Sequence, residues 1–73
     1  MYGLPPKSKK EQIKEALTAA DNDQKAASFF LEKAIDAIDA DNINDALIDL
    51  SIRDDFIKRS NENEEKAKEL LKN

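Results

Sequence analysis

Beyond Pro6 the chain has neither glycine nor proline, and it has no valine at any position. A stretch this long without a steric helix breaker, and without a segment that alternates polar and apolar residues, leaves little scope for strands. The sequence therefore predicts an all-α protein. Helix ends must then come from short polar side chains that compete for backbone hydrogen bonds, and Asp, Asn and Ser cluster at places where they could act this way.

Gly3, Pro5 and Pro6 stand together near the N-terminus. Residues 1–7 are read as a flexible Pro-Pro arm and residues 8–73 as a single helical domain. Ser8-Lys9-Lys10-Glu11 has the form of a capping box, in which hydroxyl and carboxylate each satisfy an orphan amide. A first helix is predicted over Lys9 to Ala20, with Ile13, Ala16, Leu17 and Ala20 on its apolar face. Asp21-Asn22-Asp23-Gln24 reads as a turn and a new cap. A second helix follows over Asp23 to Ala40, its central stripe Ala27, Leu31, Ala34 and Ile38, with Phe30 and Ile35 on the flanks. Phe29 projects from nearly the opposite side.

Asp41-Asn42-Ile43-Asn44-Asp45 reads as a second turn, with Asp41 or Asn42 capping a third helix over Ile43 to Arg59. That helix carries two apolar faces. Ile43, Ala46, Leu47, Leu50 and Ile57 lie on one, and Ile48, Ile52 and Phe56 on the other. Such a helix is expected to sit between neighbours. Ser60-Asn61-Glu62-Asn63 could cap a short fourth helix over Glu62 to Lys72; the alternative is one uninterrupted helix from Ile43 onward. The expected architecture is a small antiparallel three-helix bundle, or a four-helix bundle if the last segment folds separately.

Composition removes most chemistry. There is no histidine, cysteine or tryptophan, so thiol and imidazole catalysis, the usual zinc sites and any disulfide framework are excluded. A calcium loop started at Asp39 places Ile43, Asn44 and Leu50 where an oxygen ligand, a glycine and a glutamate are needed; one started at Asp21 fails at Lys25. The only glycine is Gly3, which leaves no Gly-rich phosphate cradle. No catalytic, cofactor or metal residue is predicted, and no enzyme or small-molecule substrate is expected.

Net charge is −4, from 12 basic and 16 acidic residues. That argues against direct nucleic-acid binding, which draws on a basic surface. The acid is concentrated: residues 34–57 hold seven aspartates against Arg53 alone, a local charge of −6. Within that segment Asp36, Asp39, Asp45 and Asp49 define a candidate acidic surface. No apolar run approaches the roughly 18 residues of a membrane span, and the N-terminus lacks the charged-then-apolar order of a secretory signal. A cytoplasmic location is expected.

Phe30…Ala34…Asp41-Asn42-Ile43-Asn44-Asp45-Ala46-Leu47…Leu50 resembles one tetratricopeptide unit, where a helix pair turns through a Gly-Asp-Tyr-like segment into an Ala-Ile pair. The resemblance covers about 30 residues. It departs from the family pattern at Arg53, where a small residue is expected, and no proline follows. It implies an antiparallel helix pair and nothing about ligands.

The function expected from these features is a small non-enzymatic protein-binding module that associates with itself and with another protein, of the sort found among accessory proteins of phages or mobile elements. Phe29, Ile48, Ile52 and Phe56 lie off the main apolar faces and are the candidate protein interface. The alternative is an acidic decoy. The chain loosely resembles small DNA-mimicking inhibitors, whose carboxylates imitate phosphates toward a nucleic-acid-binding protein of the host.

Overall fold

Ser8 opens the first helix. Its backbone is extended (φ −64°, ψ 158°), and its hydroxyl accepts from the Glu11 amide at 3.1 Å, the Ser half of the expected capping box. The fold is that of a computed structural model that describes residues 7–72. Of the N-terminal arm only Lys7 falls within that range; Gly3, Pro5 and Pro6 lie outside it. Lys7 is tied to the helix, its ammonium 2.6 Å from Glu15 and its carbonyl accepting from the Gln12 amide group at 3.1 Å.

The described residues form two helices and not three or four: α1 (Lys9–Asp39) and α2 (Ile43–Lys72), packed antiparallel as a hairpin. The bundle expected from the polar interruptions is therefore overturned. Asp21–Gln24 is helical throughout, and so is Ser60–Asn63. The reason lies in what those residues touch. Ser60 is fully buried and donates its hydroxyl to the carbonyl oxygen of Ala20 at 3.0 Å. Asn63 donates to Asp23 at 3.4 Å, and the Arg59 guanidinium lies 3.9 Å from the same carboxylate. The two segments that read locally as turns meet across the hairpin and satisfy each other. With no glycine or proline to force a break, these contacts outweigh turn preferences of a few tenths of a kcal/mol per residue.

Among the described residues only small side chains are buried. Ala20, Ala27 and Ala34 recur every seven residues on α1; Ala46, Ser60 and Ala67 occupy the same repeat on α2, with Arg53 in the remaining position. The Ser60–Ala20 bond fixes the register, so that Ala34 lies opposite Ala46, Ala27 opposite Arg53, and Ile13 opposite Ala67. A side-chain hydroxyl can reach a carbonyl inside another helix only where the backbones come close, and alanine permits that approach. This seam, together with Ala16, is the core.

The single connection is where the sequence placed it. The Asp41 amide donates to Ile38 at 2.9 Å and the Asn42 amide to Ala37 at 2.8 Å. These are the two bonds of a Schellman cap, with Asp41 in the left-handed region at φ 58°. Asn42 then caps α2: its side-chain oxygen accepts from the Asp45 amide at 3.2 Å, and its side-chain amide donates to the Asp45 carboxylate at 2.6 Å.

Candidate functional site

Two helices side by side make one layer. The molecule is 13 Å across its thinnest dimension, close to the diameter of one α-helix with its side chains. Among the described residues, nothing covers either broad side of the hairpin. Residues three beyond each seam position lean to one side and residues four beyond lean to the other.

The first side is aromatic and polar. From α1 it presents Asp23 and Phe30, and from α2 Asp49, Phe56, Asn63 and Leu70. Phe30 and Phe56 stack across the hairpin with ring centroids 5.8 Å apart, and Phe29 meets Phe30 edge to face at 5.3 Å. Cations sit on these rings: Arg59 is 4.5 Å from the Phe56 centroid, and Lys33 is 5.6 Å from Phe29 and 5.5 Å from Phe30. Of the four residues of the predicted protein interface, Ile52 and Phe56 lie on this side, and Phe29 and Ile48, each two positions beyond a seam residue, lie toward the outer edges of the two helices. Phe29 and Ile48 are exposed, whereas Ile52 and Phe56 are half-buried against α1. Ile48, Ile52 and Phe56 follow one another at four-residue spacing along α2, and ring contacts through Phe30 join Phe56 to Phe29.

The second side is aliphatic. Leu17, Leu31 and Ile38 recur at seven-residue spacing on α1, interrupted by Gln24. Ile43, Leu50, Ile57 and Leu71 do so on α2, interrupted by Glu64. Ile35 and Leu47 extend the rim. Of the nine large apolar residues that stand 41–63% exposed among the described residues, seven belong here. The sequence reading placed Leu31 and Ile38 in the core stripe of one helix, and Ile43, Leu47 and Leu50 on a covered face of the next. With two helices instead of three, nothing among the described residues covers them. The seven-residue recurrence of alanines beside a seven-residue recurrence of Leu and Ile was the available signal, and it marks two seams on each helix.

The predicted acidic residues gather at the turn end without forming one plane. Asp39 points outward from α1; Asp45 and Asp49 lie on the aromatic side of α2, with Asp36 around the edge of α1. Asp36, Asp39 and Asp45 are exposed and Asp49 is half-buried. Asp45 is engaged with Asn42 as part of the cap. Among the described residues no three acidic side chains converge as metal ligands would. The surface depressions are shallow and lie in the grooves beside the seam or along the outer helix faces. Among the described residues, no helix is long and apolar enough to cross a membrane. No protein-family model, curated protein or solved structure matches the chain.

Proposed function

We propose that this chain is a non-enzymatic protein-binding module that works as an assembly of helical hairpins. The observation that carries the reading is the single layer. Globular domains bury the apolar faces of their elements between at least two layers, and here large aliphatic and aromatic side chains flank a seam of alanine on both sides. The chain exposes 5802 Å², roughly 1,300 Å² more than a compact protein of 8.2 kDa is expected to expose. A standard interface hides about 800 Å² per partner, so one such contact would bring the surface toward the ordinary range. Sedimentation equilibrium at tens of micromolar tests the reading. A mass of at least twice that of the chain supports it, and a single 8.2 kDa species would overturn it.

A second reading rests on the exposed aspartates around the turn. An acidic end on a rigid rod suits a decoy that occupies the basic cleft of a nucleic-acid-binding protein. Its contact would be steered by charge and would weaken steeply as salt rises. The matching experiment is displacement of duplex DNA from such a protein at low and high salt. Displacement unaffected by changing Asp36, Asp39, Asp45 and Asp49 together to asparagine would leave those aspartates only a role in solubility.

A further inference from the structure

We infer that a second copy of this chain covers the aliphatic side, stacked antiparallel, so that the two hairpins form a four-helix bundle with their turns at opposite ends. This rests on the self-association proposed above and adds the face, the direction and the contact that sets the register.

The face follows from the distribution of apolar groups. Among the described residues the aliphatic side holds seven of the nine exposed large apolar side chains, five of them in heptad order along the two helices, which is the pattern of a coiled-coil seam. The aromatic side is less suited to a second copy. It is crossed by Asp23, Asp49 and Asn63, and Lys33 and Arg59 already sit against its rings. A two-fold axis would set those cations against themselves.

The direction follows from charge. A turn-to-turn dimer would bring two segments of charge −6 to the same end. The antiparallel arrangement lays each acidic turn beside the free ends of the other hairpin, where Lys9, Lys10, Lys68 and Lys72 lie. Gln24 and Ile57 then fall near the two-fold axis, and Leu31 lies level with Leu17 of the second copy.

The contact is that of Arg53. It is the one charged residue in the seam, and its side chain enters the aliphatic groove beside Gln24, Leu31 and Ile57. The guanidinium holds Asp54 at 3.0 Å, yet its Nε is shielded from water and has no hydrogen-bond partner. A buried donor left this way is costly. Glu64 is the one acidic residue in the aliphatic heptad series. About 11 residues along α2 from Arg53, it lies some 16 Å away within its own chain. In the antiparallel stack, Glu64 of the second copy comes within about 8 Å of Arg53 along the helix axis, half the distance to Glu64 of its own chain. Turn to turn, Arg53 would gain no carboxylate.

The test uses the full chain, which has no cysteine, so that Ala40→Cys carries a single spin label beside the turn. In the antiparallel dimer the two labels should lie about 46 Å apart, the length of a 31-residue helix. Leu31→Glu should weaken dimerisation about a hundredfold, and Phe29→Glu should change it less than about threefold. Arg53→Glu and Glu64→Arg should each weaken it about tenfold, and the double exchange should restore it. Helicity by circular dichroism identifies any variant that has merely unfolded. Labels within about 25 Å, a dimer insensitive to Leu31→Glu, or failure of the double exchange would overturn the inference and leave self-association standing. A monomer under all conditions would overturn both.

Discussion

The Ser60 hydroxyl hydrogen-bonds the carbonyl oxygen of Ala20 across the hairpin, a side chain of one helix bonded to the backbone of the other at 3.0 Å. Because that carbonyl belongs to a helix, Ser60→Ala removes a secondary bond and should cost no more than about 1 kcal/mol. Ser60→Leu keeps the helix propensity but must push the backbones apart. It should cost about 3 kcal/mol or more, since overpacking of a close seam has nowhere to relax. Urea denaturation of the two variants at one protein concentration measures the difference, and equal effects would deny that the seam is closely packed.

Asp41 holds a left-handed backbone that glycine adopts freely. Asp41→Gly should stabilise the hairpin by about 0.5–1 kcal/mol, and Asp41→Val should destabilise it by more than that, because a β-branched side chain is poorly tolerated at positive φ. Thermal melts that order the three proteins otherwise would contradict the Schellman cap.

The two N-caps should not be equivalent. Asn42→Ala removes the cap at the only connection and should cost about 1 kcal/mol of global stability. Ser8→Ala removes the same kind of bond at a helix end, where local fraying absorbs the loss. Its effect should show mainly as faster amide exchange in the first turn.

Phe56 and Phe30 stack between the helices, whereas Phe29 stands at the rim. Phe56→Ala should therefore cost about 2–3 kcal/mol of stability, through lost burial, the ring pair and the Arg59 contact. Phe29→Ala should cost less than about 1 kcal/mol. If the two substitutions destabilise equally, Phe29 is part of the fold and not free to serve an interface.

The sequence carried the parts of this fold that local chemistry decides. All-α structure followed from the absence of glycine and proline beyond Pro6 and of valine anywhere, and both the Ser8 cap and the Asp41–Asn42 turn could be read from side-chain type. Helix 43–72 was open between one segment and two. What could not be read locally was the outcome at Asp21–Gln24 and Ser60–Asn63. Each looks like a break until its partner, 40 residues away, is known. The candidate interface was legible to the same extent. Side-chain pattern marks Phe29, Ile48, Ile52 and Phe56 alike as residues off the core faces, yet only Phe29 and Ile48 are exposed and Ile52 and Phe56 are half-buried. Leu31, Ile38, Ile43 and Leu47 were assigned to a core that a third helix would have made. An apolar stripe shows that a face must be covered, and the count of helices decides whether the chain itself does it.

The single tight connection also dictates an order of events. Pairing Ala34 with Ala46 closes only a short loop around the turn, whereas pairing Ser60 with Ala20 spans 40 residues, and each doubling of loop length costs about 0.6 kcal/mol of chain entropy. Formation of the hairpin should thus begin at the Asp41 turn and run outward like a zipper. The polar contacts midway would act as a late checkpoint on register, and the two free ends would be the last to close and the first to open.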